Sequence, residues 1–190
     1  MRARGKQLWS YHYFNYDRRL PDLAIDGPPT DPSVLMAFNA YEANAGWFHW
    51  AFARWTPPAG GGSRNPYEDP LSWTIGSARS NGEASLVYPA VSQRYGLTDA
   101  AAQPVSSLRM EQIADGAELV NLATQARAVR GDAFVRRTFR PVFSGRMRVT
   151  DTGASWLDYN NAGLALRLEK VRRALLKAVE VGAYRTPAGR

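Results

Sequence analysis

The chain has 190 residues, of which 45% are hydrophobic and 22% are charged, an ordinary composition for one globular domain with a sizeable core. It contains no cysteine, which excludes a disulfide framework, a thiolate metal site and a cysteine nucleophile. Its formal net charge of +7 raises nucleic acid as a partner, but the excess is mostly scattered Arg without a stacking RNA-recognition signature, so nucleic-acid binding is not expected.

A strand, a helix and a second strand are predicted over residues 7–55. Residues 7–14 alternate aromatic side chains with others, which favours a strand. Asp31 is expected to cap a helix with Pro32 at its first position, and the helix ends near Gly46. Residues 46–55 are apolar on both faces, as buried parallel strands are. The unit is typical of a right-handed crossover in a parallel α/β sheet, where the carboxyl ends of the strands are the working ends.

The remainder of the chain predicts two more helices. Residues 56–64 carry two Pro and three Gly, which indicates a loop or hinge, and residues 81–89 contain a short strand that Pro89 stops. Ser106 or Ser107 is expected to cap a helix that runs to about Arg130. Apolar residues at spacings of three and four predict a long closing helix over residues 164–179. The basic stretch between these two helices supports no secondary-structure prediction.

Four short pieces stand out in chain order, namely Leu8-Trp9-Ser10-Tyr11, then Ile25-Asp26 with Gly46-Trp47-Phe48-His49-Trp50 and Trp55, then residues 81–89, then residues 106–118. In this order they resemble the C-terminal part of the catalytic region of glycoside hydrolase family 123, also catalogued as domain of unknown function 4091. The fourth piece is the most specific, because it combines a Ser-Ser-apolar-Arg-x-Glu pattern with a following Asp-Gly in one helix. Glu83 departs from the pattern, since family members often carry Asp there, and residues 127–161 match nothing in it.

The resemblance implies an α/β fold, namely the C-terminal portion of a (β/α)8 barrel, with the last two βα units and closing helices, incomplete on its own. Residues 7–130 would form the partial barrel region, and residues 131–190 a basic segment and a C-terminal helix that pack on it. It also implies hydrolysis of N-acetylhexosamine-type glycans, N-acetylgalactosaminides among them, in which the substrate's acetamido group is the nucleophile and an Asp-Glu pair assists.

In the family this acidic pair lies upstream of the region that the chain resembles, so the chain is expected to lack it and we assign no catalytic residue. The adjacent acids Glu68 and Asp69 lie in a turn-rich loop, where a capped turn is the expected role. The arginine and acids of the fourth piece, Arg109, Glu111, Asp115 and Glu118, are expected to make structural ion pairs with neighbouring loops.

Sugar binding is expected from aromatic side chains near the carboxyl ends of the two strands, because pyranose C–H faces stack on aromatic planes. The alternative for each of them is packing inside the barrel or under its helices, which is the expected role of Trp9 and Trp47, early in their strands. The substrate-binding candidates are Trp50, Trp55, Tyr11, Tyr13 and His12.

No cofactor and no metal ion are expected. His12 and His49 are the two histidines of the chain, and a zinc ion needs three or four ligands, which nothing supplies at motif spacing. No apolar run approaches the roughly 18–20 residues of a membrane span, and no signal-peptide core follows the N-terminus. The expected partner is therefore an amino-sugar glycan and not a membrane, and the cell compartment stays open.

A second interpretation retains sugar binding but assigns the chain no catalytic activity. The chain would be a non-catalytic carbohydrate-binding module, or one that associates with itself, because two parallel strands leave open edges and half a core. In either interpretation the open strand edges and the half core must pack against another surface. That surface is a second copy of the chain or the missing N-terminal half of the barrel.

Overall fold

The computed structural model describes residues 7–12, 20–54, 65–75, 78–89, 103–143, 148–149, 155–156, 159 and 163–183. Two of the predicted sugar-binding residues, Tyr13 and Trp55, lie outside these ranges. In chain order the elements are β1 (Trp9–His12), α1 (Asp31–Glu42), β2 (Gly46–His49), β3 (Leu71–Ile75), β4 (Ala78–Asn81), β5 (Val87–Tyr88), β6 (Val105–Ser106), α2 (Leu108–Arg130), α3 (Asp132–Phe139), β7 (Arg148–Val149), β8 (Ser155–Trp156) and α4 (Leu164–Ala183).

The strand-helix-strand unit is present, and β1 pairs with β2 in parallel, with His12 opposite His49. The other described strands form three antiparallel pairs, β3 with β4, β5 with β6 and β7 with β8. β2 ends at His49 and does not continue to residue 55. The backbone turns away there because Phe52 O accepts the Leu86 N–H at 2.8 Å and the Arg54 N–H donates to Ala84 O at 2.8 Å. The result is an α/β fold built from small two-stranded sheets.

The β1–β2 sheet is covered on one face, which corrects the expectation that β2 is buried on both. On the covered face Ser10 Oγ donates to Asn39 Oδ1 of α1, and Trp47 packs against the smaller core as predicted. On the other face Trp9 is 59% exposed and Phe48 is 55% exposed. Trp9 therefore does not fill a core. Its ring lies over Gly46, where an added Cβ would lie 2.6 Å from the ring, so glycine is needed at that position.

The start of α1 differs in detail from the prediction. Thr30 occupies the cap position, and Asp31 is the first helical residue with Pro32 after it. The Asp31 carboxylate is buried and accepts the backbone N–H of Asp22 at 2.9 Å and the hydroxyl of Tyr159 at 2.9 Å. Asp31 thus joins the loop before α1 to the bridge residue before α4, in place of capping its own helix.

The main core lies among the four helices, where α1 packs on α2 and α2 packs on α4. A smaller cluster of Leu23, Met36, Leu86 and Ile113 lies where α1 and α2 meet the turn after β4. The buried residues of the main core are Val34, Ala37, Ala40, Leu119, Ala123, Ala126, Val135, Phe139, Val142, Phe143, Leu164, Val171, Leu175 and Ala178.

The predicted extent of α2 is confirmed, and Ser107 is its cap, because Ser107 Oγ accepts the Met110 N–H at 3.2 Å. The face of α2 that packs on the core includes Ile113 and Ala123. Leu108 is 69% exposed, while Gly116 and Leu119 face the core. Within residues 131–161 the structure forms α3 and the short β7–β8 pair, which the sequence did not predict. No helix in the described part of the chain combines the length and the apolar character needed to cross a membrane.

Candidate functional site

Two histidines lie side by side at the carboxyl ends of β1 and β2, with ring centroids 5.4 Å apart. The His12 side chain is buried, and its Nε2 lies 3.1 Å from Pro21 O and 4.0 Å from Asp22 Oδ1. Nδ1 of the same ring is buried and has no hydrogen-bond partner among the described residues. Burial first, and then the nearby charge of His49, lowers the pKa of His12 to about 3, so the ring is neutral at physiological pH.

His49 joins β1 to the turn after β4. Its Nδ1 lies 3.2 Å from His12 O and its Nε2 lies 3.0 Å from Glu83 O. The ring stacks on Trp47 at 5.8 Å with an interplanar angle of 3°. Burial lowers the pKa of His49, although both carbonyl contacts oppose this effect. The histidine thus ties together three segments that are far apart in sequence.

Glu83 is fully buried in the turn between β4 and β5. Its Oε1 accepts the indole N–H of Trp50 at 3.2 Å, and its Oε2 accepts the hydroxyl of Ser80 at 3.0 Å. A carboxylate in such a position needs strong partners, because burying an unpaired charge costs several kcal/mol. The bond to Trp50 fixes the orientation of the half-buried indole ring just beyond β2.

Arg109 from α2 holds the loops that carry these residues. Its guanidinium donates to the carbonyl oxygens of Leu23, of Gly82 at 2.6 Å and of Ser85 at 2.9 Å, and to the hydroxyl of Tyr88 at 3.3 Å. Burial lowers the pKa of Arg109, and the nearby Tyr88, Asp22 and Glu83 oppose this effect. Arg109 therefore binds loop carbonyls, and not the acids of its own helix.

Asp22 adds a second buried acid to the same region. Its Oδ1 accepts the backbone N–H groups of Leu23 at 2.6 Å and Ala24 at 3.3 Å. Burial raises the pKa of Asp22 to about 6, and the charge of Glu83 adds to the shift. Two acids and two histidines thus surround the carboxyl ends of the parallel strands.

The three predicted sugar-binding residues that the structure describes differ in their exposure to solvent. Trp50 is half-buried, with the Arg54 guanidinium 5.3 Å from its ring centroid. Tyr11 is 55% exposed and stacks on Phe48 at 5.3 Å, on the uncovered face of the sheet. His12 points to the covered face and lies beneath this surface. The described site therefore offers Trp50 and Tyr11 at its surface.

Acids of the fourth sequence piece and of two loops make structural contacts outside this cluster. Glu118 binds Arg172 of α4 at 3.2 Å, and the same arginine donates to Asp115 O at 3.0 Å. Glu68 and Asp69 are exposed in a turn, where Asp69 Oδ1 accepts the Leu71 N–H at 3.2 Å. Asp26 accepts the side-chain amide of Asn81 at 2.7 Å. These contacts tie loops and helices together.

Sequence reasoning did not assign a role to Glu83 or Asp22. Glu83 was noted as a departure from the family pattern, which is the signal that could have drawn attention to it. Its partners Trp50 and His49 are 33 and 34 residues away, however, and no spacing rule connects them. For Asp22 no signal was available beyond its place in a loop rich in Pro and Asp.

The comparison with family models decides the family. The model for the catalytic domain of glycoside hydrolase 123 matches residues 1–125, which is more than half of the chain. The chain belongs to glycoside hydrolase family 123. The matched residues include β1, α1, β2, the Glu83 turn and most of α2. The family 123 match therefore contains the whole cluster of His12, His49, Glu83, Trp50 and Arg109.

A comparison with curated proteins found no match. Among solved structures, the chain is similar to a family 123 glycoside hydrolase from Clostridium perfringens, studied for glycolipid glycan hydrolysis, with 13% sequence identity and a TM-score of 0.49. The alignment covers 86% of this chain and 26% of the Clostridium protein. The chain therefore spans about a quarter of the length of that family 123 enzyme.

Proposed function

We propose that this chain is the sugar-binding C-terminal part of a family 123 glycoside hydrolase that acts on N-acetylhexosamine-type glycans, N-acetylgalactosaminides in particular. The match of residues 1–125 to the catalytic domain of the family carries this proposal. The reaction is substrate-assisted: the acetamido oxygen attacks the anomeric carbon, one carboxylic acid protonates the leaving oxygen, and a second carboxylate orients the acetamido group.

In this proposal the acidic pair belongs to a part of the catalytic domain outside these 190 residues. The buried acids of the described site support this placement. Glu83 is fully buried and already accepts hydrogen bonds from Trp50 and Ser80, and Asp22 accepts two backbone N–H groups. Neither carboxyl group has the access to a glycosidic oxygen that a general acid needs.

The chain contributes the aromatic surface on which the sugar lies. Trp50 follows the carboxyl end of β2, its ring is held by Glu83, and it is partly open to solvent. Barrel active sites lie at this end of the strands, and aromatic rings there stack on sugar C–H faces. Tyr11 from β1, together with Tyr13 and Trp55, completes the proposed surface, and His12 supports it from beneath. The two strands and α1 would be the last two βα units of a (β/α)8 barrel.

Binding of N-acetylgalactosamine to the 190-residue chain tests the proposal, with galactose as the comparison that lacks the acetamido group. We expect the Trp50→Ala variant to lose about tenfold in affinity, since a good stacking contact contributes up to about 1.5 kcal/mol. Trp9→Ala is the control, because Trp9 is an exposed indole that lies at the amino end of β1, away from Trp50. Equal losses in the two variants, or no binding of any amino sugar, would refute the proposed surface.

Hydrolysis of a nitrophenyl N-acetylgalactosaminide tests the placement of the acidic pair. The 190-residue chain alone should give no turnover, whereas the same chain joined to the remaining βα units of its catalytic domain should hydrolyse the compound. Clear turnover by the chain alone would show that its own acids perform the reaction.

The exposed aromatic face supports a second candidate, a non-catalytic sugar-binding module that associates with itself. Trp9, Tyr11 and Phe48 are each more than half exposed on one face of the β1–β2 sheet. Such a face is typical of an interface, because isolated two-stranded sheets are marginal in water. Sedimentation of the purified chain distinguishes the two candidates. A dimer that Phe48→Asn dissociates would favour the module, and a monomer at every concentration would exclude self-association.

A further inference from the structure

The neutral His12 ring carries its proton on the nitrogen that faces a backbone carbonyl. A carbonyl oxygen only accepts, so the 3.1 Å contact to Pro21 O places the single proton of neutral His12 on Nε2. Nδ1 then presents a lone pair in a buried position, where no described group donates to it. Leaving a buried acceptor unpaired costs about 1–3 kcal/mol, so a missing partner is the simplest account of this nitrogen.

The same reasoning applies to His49, which faces two carbonyl oxygens. A neutral ring has one N–H and can satisfy one of them, either His12 O at 3.2 Å or Glu83 O at 3.0 Å. The remaining ring nitrogen then directs its lone pair at an oxygen, which is repulsive unless a positive charge lies nearby. Either ring nitrogen can carry that proton, and the other then presents a lone pair to a cation.

The Glu83 carboxylate lies close to the two imidazole rings. His12, His49 and Glu83 each offer one ligand atom, and the three atoms lie within 4.8 Å of one another. Three points at that spacing have a common centre within about 2.8 Å of each, whereas zinc–ligand bonds are about 2.0–2.2 Å. An inward movement of less than about 1 Å per side chain would therefore bring all three atoms to one ion.

We propose that His12, His49 and Glu83 bind a divalent transition-metal ion of the zinc class. Two imidazoles and one carboxylate are the donor set that such ions prefer over Mg²⁺ or Ca²⁺. His12 shows the outer contact typical of metal-bound imidazoles, in which the second ring nitrogen donates to a backbone carbonyl. Both ring nitrogens of His49 face backbone carbonyls, and one of them would donate in the same way. With three protein ligands, a fourth position remains for water.

The ion would join the ends of β1 and β2 to the turn after β4, the same three segments that His49 contacts. The ion would also help to fix the position of the Trp50 ring, because the indole N–H donates to the same Glu83 carboxylate. Sequence spacing gave no third ligand near the two histidines, and the fold supplies it from 34 residues away. Burial lowers the pKa of both histidines, which keeps the rings in the neutral form that binds metals.

Titration of the chelator-treated chain with zinc, followed by calorimetry, tests the site. We expect one ion per chain and a rise in melting temperature. Titration with Co²⁺ should give the visible absorption of a site with nitrogen ligands. His12→Gln and Glu83→Gln should each lose more than about a hundredfold in affinity, beyond what the loss of an outer partner costs. Glu68→Gln is the matched control, because Glu68 is an exposed acid in a turn, and its zinc affinity should be unchanged.

Two results would overturn the proposal. One is zinc affinity that is the same in the wild-type chain and in folded His12→Gln, with folding checked by circular dichroism. The other is a nitrogen NMR spectrum in which His49 carries protons on both ring nitrogens near neutral pH in the presence of zinc. An imidazolium would satisfy both carbonyl contacts without a metal ion. Neither result depends on sugar binding, so the site can fail while the glycosidase proposal stands.

Discussion

Gly116 of α2 lies against Met36 of α1 so closely that an added Cβ would lie 2.2 Å from the Met36 Cβ. The two helices cross at this point, and the larger core and the smaller core meet around it. The neighbouring atom is the first carbon of the Met36 side chain, which cannot swing away. The absence of a side chain at residue 116 is therefore what permits this helix packing.

Gly116→Ala should destabilise the chain by up to about 2 kcal/mol, because an overpacking cost of about 1–3 kcal/mol outweighs the gain of about 1 kcal/mol in helix propensity. Chemical denaturation measures the change in the free energy of unfolding. Ala114→Ser on the exposed side of α2 is the control and should change it by less than about 0.5 kcal/mol. A more stable Gly116→Ala variant would mean that the helices are not packed this closely.

Ser107→Ala should cost about 0.5–2 kcal/mol, because Ser107 Oγ accepts the Met110 N–H at the start of α2. Ser106→Ala should cost little, since the neighbouring hydroxyl is exposed and makes only a 3.5 Å contact to Ser107 O. Thermal unfolding of both variants compares them directly. Equal losses would contradict the assignment of the cap to Ser107.

The helices could be predicted from the sequence because their signals are local. Spacings of three and four residues gave α4, and a Ser before an apolar run gave the start of α2. The sequence did not predict that Gly116 packs closely on Met36 or that Arg109 is buried, because small size and loop carbonyls decide these two contacts. Propensity rules do not include either of these effects.

The site could be predicted only in part. Aromatic alternation placed Tyr11, His12 and Trp50 near the carboxyl ends of two parallel strands, which is where the structure has them. The end of β2 at His49 could not be predicted, because it depends on hydrogen bonds between residues 52–54 and the distant turn after β4. The burial of Glu83 depends on the same turn. Contacts between segments that are 30 or more residues apart leave no periodic signal.

Asp132→Asn should weaken the junction between α2 and α3. Asp132 Oδ1 accepts from Arg127 Nε at 2.7 Å and its Oδ2 accepts from Arg136 Nε at 2.8 Å. Partial burial alone would raise the pKa of Asp132, but hydrogen bonds from the two arginines outweigh it and lower the pKa. Because the carboxylate is about half exposed, solvent screening limits the loss to about 0.5–1 kcal/mol near neutral pH.

The pH dependence of this loss gives a sharper test. A folded pKa below the unfolded value means that the stabilisation is complete above the unfolded pKa of 3.8 and is lost as the pH falls through the folded pKa. The wild-type and Asp132→Asn chains should therefore differ in stability near neutral pH and converge in strong acid. Urea unfolding across this range measures the difference, and high salt should reduce it. A difference that persists in strong acid would contradict the ionic origin.

Tyr159→Phe should destabilise the chain by about 1.5–3 kcal/mol, because the hydroxyl donates to the buried Asp31 carboxylate at 2.9 Å and a charged acceptor is left short of a donor. Tyr67→Phe is the matched control. Its hydroxyl donates to the neutral carbonyl of Pro89 at 3.1 Å, so the loss should be about 0.5–1.5 kcal/mol. Unfolding free energies of the two variants at the same pH decide the point, and a larger loss for Tyr67→Phe would contradict it.

Arg109→Met should be the most damaging of these substitutions. Methionine keeps most of the apolar length of the side chain but removes the guanidinium donor from the carbonyls of Leu23 and Ser85 and from the Tyr88 hydroxyl. Gly82 O also loses this donor but keeps the Ser85 N–H. It also removes the cation next to Asp22 and Glu83, so we expect a loss of about 3–5 kcal/mol. Arg172→Met is the control, since Arg172 makes an exposed pair with Glu118 that is worth about 0–1 kcal/mol. Hydrogen exchange should show increased opening at Gly82 and Ser85 in Arg109→Met but not in Arg172→Met, because Arg109 fixes the turn that carries Glu83. Equal protection of that turn in both variants would mean that the turn holds its shape without Arg109.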